Sequence, residues 1–419
     1  MSNLDEVPEE ELWTQSRSED SNVRADALLD LAHRARSRQD WKIAKNLYGS
    51  ALDLFIGLEK DSEIGRANYS YGYCLYSLGE YEEARDVLQT ALDRGLTAHD
   101  PVIIGYSAGP LGDSLSVLLR YEEAIEAYQL AVDAFDEAEE ESQAGINALA
   151  MGDLLGVMGK QTRALECFIR AFNLFQRDGD SFGAARAKER MAAALIELGD
   201  FDQAIMHLQD SLNVFKFLEV EDRIAYTQYR LGWTLNYAEK FLQAEKPLRD
   251  AIAYFRSNED YSRAALAETQ LAVSLIYRDH EDVPEEAEGM LDRVAAYFEA
   301  AGEQINVIVV ESVIADRLMI AGLWADAEAL WRDLLARTIV YEDDKGANTA
   351  RLNLAECLLE LGNLEEANAT FAEIDPNLWG ENKPELERIE RVRHLIHEVA
   401  NQSLFKTGPR KNRKEEPVA

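Results

Sequence analysis

What this 419-residue sequence lacks narrows its nature before any motif is considered. No uninterrupted apolar run approaches the roughly 20 residues that a bilayer-spanning helix needs. The opening MSNLDEVPEEELW has neither the basic n-region nor the apolar h-region of an export signal, so a cytoplasmic, membrane-free protein is expected. Cysteine is scarce: Cys74, Cys167 and Cys357 are far apart and odd in number, which fits reduced thiols rather than a disulfide framework. Cations are short as well, 43 Lys+Arg against 78 Asp+Glu, for a net charge of −35. Such a surface repels phosphate backbones and anionic lipid, because binding either needs a Lys/Arg footprint. Nucleic acid is therefore excluded as a partner of the folded body. What is present is apolar mass: 47% hydrophobic residues supply a core and rule out a disordered acidic chain.

The apolar residues are arranged in a repeat. LGEYEEA ends at Ala84, LRYEEA at Ala124, LGDFDQA at Ala204, AGLWADA at Ala327 and LGNLEEA at Ala367. The same small residue gives nine anchors: Ala44, Ala84, Ala124, Ala164, Ala204, Ala244, Ala287, Ala327 and Ala367. The interval is constant at about 40 residues, within the range of helical repeat units. Only the step from Ala244 to Ala287 is longer, by an insertion in the seventh repeat. Twelve positions before eight of the nine anchors stands Ala or Gly, as at Gly72, Gly112, Gly152 and Gly232, with Ala272 displaced by the insertion in the seventh repeat; nine before, mostly Leu. Four after comes a large apolar residue such as Tyr128, Phe168 or Leu248, and eleven after comes Phe in six of nine units. Offsets of i+3, i+4, i+7 and i+11 describe a helical stripe, so each unit reads as two helices joined by a short turn. Antiparallel helices approach closely only where side chains are small, so the Ala/Gly columns mark the crossing and the large residue fills the space beside it.

Small, apolar, aromatic and small positions at these offsets resemble the tetratricopeptide repeat, in the longer variant found in kinesin light chains and in bacterial quorum-peptide receptors of the Rap type. The resemblance covers about residues 21–379. It implies an all-α fold: a right-handed α-solenoid of about nine helix-turn-helix repeats with a C-terminal capping helix. Departures are the missing proline after the second helix, Gly95 in place of the second repeat's Phe, and Pro110 inside a helix, where a lost donor predicts a kink. Residues 1–20 are acidic, with a short capping helix expected around Pro8 to Trp13. Residues 380–405 read as the capping helix, amphipathic from Pro384 to Leu404, and the basic tail 406–419 as disordered.

Three strings mimic chemistry. GYSAG, around Ser107, matches a nucleophile elbow, but that device needs a strand and a strained turn, and the flanking anchors leave room only for a helix. GVMGKQT, residues 156–162, has the wrong glycine spacing for a phosphate loop. His394 and His397, with Glu390 and Glu398, have zinc-compatible helical spacing without a further ligand cluster, and His280 falls in a lengthened turn. A non-enzyme without metal or cofactor is expected; a hydrolase using Ser107 is the remote alternative.

The resemblance further implies that the positions 18, 15, 11, 8 and 7 before each anchor face inward. In the second repeat these include Arg66, Tyr69, Tyr73 and Tyr76; in the sixth, Tyr226, Tyr229, Trp233, Asn236 and Tyr237. Tyr106, Asp113, Asp153, Arg186, Glu189, Tyr277 and Asp316 occupy the same rows elsewhere. Clustered Tyr and Trp suit a peptide groove, offering large contact area, low entropy loss and a polar tip; packing between repeats is the competing use. Arg186, Arg190 and Arg230 either form a cationic pocket for a carboxylate or pair with nearby acids. Asp113 and Asp153, one repeat apart, suit a basic ligand residue. The expected function is an adaptor or scaffold holding a protein or an extended peptide in its concave groove. The alternative is a regulatory sensor that releases a partner protein when a peptide binds. Self-association through the terminal repeats is a further expectation.

Overall fold

The computed structural model describes residues 7–278, 284–380 and 382–406, with side chains to residue 400. The expectations about His280 and residues 407–419 fall outside the described residues. Among those described the fold is an all-α solenoid of antiparallel helix pairs. The chain divides into two compact units, residues 1–194 and 195–419.

The first unit opens with α1 (Glu9–Gln15) and continues through α2 (Ser21–Ser37), α3 (Trp41–Gly57), α4 (Asp61–Ser77) and α5 (Tyr81–Ala98). It is completed by α6 (Pro101–Val117), α7 (Tyr121–Glu137), α8 (Glu141–Val157) and α9 (Gln161–Asp178). The boundary between units falls within α10 (Ser181–Glu197). The second unit contains α11 (Phe201–Phe217), α12 (Glu221–Tyr237), α13 (Phe241–Ser257), α14 (Tyr261–Arg278) and α15 (Glu285–Ala301). After these come α16 (Gln304–Ile320), α17 (Trp324–Val340), α18 (Asp344–Glu360), the short α19 (Leu364–Ala372), a 3-10 turn (Pro376–Trp379) and α20 (Lys383–Lys406).

The constant period now has a physical origin. A typical helix is 17 residues long, and a short link such as Leu78-Gly79-Glu80 separates it from the next. In that link the Gly79 N–H donates to Tyr76 O (2.9 Å), the Glu80 N–H donates to Leu75 O (3.0 Å), and Gly79 has φ 80°. This closes the last helical turn on a left-handed residue. The Leu column nine before the anchor supplies the same acceptor at Leu115, Leu155, Leu195 and Leu235.

The columns pack as their sizes require. All nine anchor alanines are fully buried. A Cβ added to Gly72 would stand 2.6 Å from Leu88, to Gly112 2.7 Å from Tyr128, and to Gly152 2.4 Å from Phe168, each neighbour being the large residue four past the anchor. The six Phe of the last column are at most 1% exposed. Where Gly95 replaces that Phe, Ile103 and Ile104 of the next helix close in, to 3.0 Å of where a Cβ would stand. Pro110 does not interrupt α6, which runs through it, capped by the Asp100 carboxylate accepting from the N–H groups of Val102 and Ile103.

Candidate ligand-binding pocket

The first unit holds a cavity of about 550 Å³ lined from six helices, with Phe135 contributed by α7. Arg36 and Ser37 come from the end of α2, Trp41 from the start of α3, and Tyr69 and Tyr73 from α4. Gly105, Tyr106, Gly109, Pro110 and Asp113 come from α6, and Gln143, Ile146 and Asn147 from α8. The glycines have a definite use here. Gly109 admits Asn147, whose Oδ1 would lie 2.6 Å from an added Cβ, and Gly105 admits the Phe135 ring at 2.8 Å. Pro110 lacks an N–H, so the Tyr106 carbonyl has no i+4 donor.

The walls are aromatic and mutually braced. Trp41 meets Tyr73 edge-on at 5.9 Å, Tyr69 stacks on Tyr106 at 5.5 Å, and Tyr106 meets the Phe135 edge at 4.9 Å. The Tyr106 hydroxyl donates to Glu140 at 3.0 Å, and burial together with that carboxylate pushes its phenol up to about 12. Tyr76 sits 6.3 Å from Tyr73, its phenol raised by burial and by Asp113. Asp113 accepts from the Tyr128 hydroxyl at 2.6 Å; burial raises its carboxyl above the ordinary range, with the Tyr128 bond acting the other way.

Of the inward candidates, Tyr69, Tyr73, Tyr106 and Asp113 come together at this cavity. Arg66 is exposed and is not among the lining residues. Arg190 pairs with Asp153 at 3.2 Å, and Arg186 also acts on that carboxyl, so these arginines serve an acid of the neighbouring repeat. Arg230 belongs to the second unit, where it lies over the Trp233 ring at 5.3 Å. Tyr229 packs with Ala225, Ala251, Phe255 and Ala264, while Asn236 is buried, donating to Gln270 O (2.8 Å) and accepting from the Ser274 hydroxyl (2.7 Å). Both are therefore used in packing between repeats. Arg36, Trp41, Gln143, Ile146 and Asn147 were not anticipated. A signal existed for two of them: Arg36 stands eight positions before Ala44 and Ile146 eighteen before Ala164, both inward rows.

In the second unit α20 returns to the turn between α10 and α11. A Cβ on Gly199, in the α10–α11 turn, would overlap Pro384 at 2.2 Å, and Lys345 pairs with Glu197 at 3.4 Å. Arg388 of α20 donates to Asn353 and, at 3.2 Å, to Glu356. Facing it are Tyr277 and Asp316, whose carboxyl is pushed up to about 7 by burial, against the pull of Arg388. Tyr237 exposes half its surface, yet burial and the carboxylates of Glu385, Glu197 and Asp316 raise its phenol to about 12. Ile389, Val392 and Ile396 bury the other side of α20 against Leu352.

Family models described as tetratricopeptide repeat match residues 29–100, 183–257 and 313–382, together about half of the sequence. The chain is a tetratricopeptide repeat protein. No curated protein matches the sequence. Among solved structures, apo RapI is similar over 92% of this chain and 99% of its own, with TM-score 0.64 and 14% identity. Aspartyl phosphate phosphatase F from Bacillus subtilis is similar over 90% and 95%, with TM-score 0.55 and 13% identity. A signal transduction ATPase with numerous domains and a tetratricopeptide repeat sensor, from Pyrococcus horikoshii, is similar over 69% of this chain and 44% of its own, with TM-score 0.56 and 14% identity. At these identities the likeness is one of fold. In this tetratricopeptide repeat protein Ser107 lies inside α6, fully buried, where no strand-turn-helix elbow can present its hydroxyl. No described helix is long and apolar enough to cross a membrane.

Proposed function

We propose that the protein is a non-enzymatic adaptor that holds a peptide or an extended segment of a partner protein in the inner cavity of its first unit. The observation that carries this reading is the aromatic wall formed by Trp41, Tyr69, Tyr73 and Tyr106 around about 550 Å³ of open space. A cavity of this size, with aromatic walls and convergent polar groups, is what a ligand site requires. The rings are held by one another, so little rotamer entropy remains to be lost on binding. Amides at Gln143 and Asn147 and the Tyr106 carbonyl give a peptide backbone its hydrogen-bond partners. The aromatics of α12, with Tyr226, Trp233 and Arg230 forming a second cationic-aromatic surface, are a subordinate contact for a longer partner.

The test uses a peptide selected from a displayed random library by the full-length protein. Replacing Trp41 and Tyr73 together by Ala lowers its affinity by more than about 2 kcal/mol, as removal of hot-spot aromatics does. Unchanged affinity in a double variant with wild-type helicity overturns the assignment.

A further inference from the structure

The repeats allow each inward position to be compared with its equivalent one repeat away. Asp113 and Asp153 are such a pair. Asp153 has a counter-ion, Arg190, at 3.2 Å from the next repeat. The residue that stands to Asp113 as Arg190 stands to Asp153 is position 150, and it is Ala. Asp113 therefore keeps the acid of the pair without its cation, and it does so on the wall of the cavity.

We infer that the pocket takes a ligand whose cationic group, an amine or a guanidinium, sits on Asp113 in the place that Arg190 takes at Asp153. This rests on the pocket reading above and names the chemistry it selects. Three further features agree with it. Burial raises the carboxyls of both aspartates, but at Asp153 two arginines oppose the effect and at Asp113 only the Tyr128 hydroxyl does. A ligand cation supplies the missing stabilisation of the Asp113 carboxylate. The Tyr76 ring, close enough to Asp113 for that carboxylate to raise its phenol, has a π face of the kind that attracts a cation. The protein's net charge of −35 steers cations toward it. The other charged lining residue, Arg36, makes no ion pair among the described residues and favours an anionic group elsewhere on the ligand, which fixes the direction in which a dipolar peptide lies.

The experiment titrates the full-length protein with three probes: acetyl-Ala-Phe-Lys-Ala-amide, its norleucine analogue, and the norleucine peptide with a free amino terminus. Wild type prefers the lysine peptide, or the free amino terminus, over the blocked norleucine peptide by about tenfold to a hundredfold, the range of a charge-assisted hydrogen bond. Which of the two gains identifies a side-chain amine or a chain terminus as the source. Asp113→Asn, which keeps shape and can still accept from Tyr128, brings the ratio to near one. Ala150→Arg does the same by supplying the counter-ion from within, and circular dichroism checks that its helicity is intact. Equal binding of all three probes, or a preference that survives in Asp113→Asn, overturns the inference. If the norleucine peptide still binds and loses affinity on removing Trp41 and Tyr73, the pocket reading stands without its cation; if no probe binds at millimolar concentration, both fall.

Discussion

Asp316 shows what the environment does to a single side chain. Burial pushes its carboxyl from the ordinary 3.8 to about 7, with Glu356 adding to the shift and Arg388 and Tyr277 opposing it. A carboxyl raised on folding binds a proton that the unfolded chain has already released. Its contribution to stability is therefore present below the unfolded value and is lost as pH rises through about 7. The isosteric Asp316→Asn removes this dependence. Relative to wild type, the variant's denaturation midpoint falls less between pH 4 and pH 7, and at pH 8 the variant is the more stable. Parallel pH profiles for the two proteins refute the assignment. The repeat register places Asp316 on a row expected to face inward; its protonation was not legible, because that follows from burial and from Glu356 of α18, well beyond its own helix in sequence. Arg36 was legible in principle from the same offsets. Trp41 was not, since it opens a second helix rather than lying on an inward row of a first one.

At the scale of the element, nearly everything about the helices could be read from the anchor and its flanking columns, because interlocking small and large residues leave no other register. The turns were read only in part. Gly79 and Gly199 occupy left-handed links that a glycine identifies, yet the equivalent links use Glu59, Leu119, Glu139 and Glu239, with φ between 56° and 60°. Tertiary packing of both flanking helices imposes that conformation on residues that disfavour it. Leu119 is the clearest case, since its side chain is 71% exposed and contributes little in return. Relief of a left-handed non-glycine residue, about 1–2 kcal/mol, exceeds the added unfolded-state entropy of glycine, about 0.5–1 kcal/mol. Leu119→Gly is expected to stabilise the protein by roughly 0.5–1 kcal/mol in urea denaturation. A loss of stability shows that the leucine side chain holds the turn by some other contact.

At the scale of the whole molecule, the two units differ in what they offer a ligand. The first keeps an open, aromatic cavity, and its GYSAG string, which imitates a catalytic motif, supplies the glycines that let Phe135 and Asn147 approach the α6 backbone. The second brings the start of α20 against the turn at Gly199. A repeat register says which residues face inward but not how far the array curls, because curl accumulates from small rotations between neighbouring repeats. The return of α20 to the turn at Gly199 was therefore beyond the sequence, and the aromatic cavity is the reason for seeking the ligand in the first unit. Hydrogen–deuterium exchange on the full-length protein, with and without a saturating library-selected peptide, tests this most directly. Slowed exchange in α4 and α6, residues 61–77 and 101–117, is the predicted result; protection confined to other helices, with these two unchanged, contradicts it.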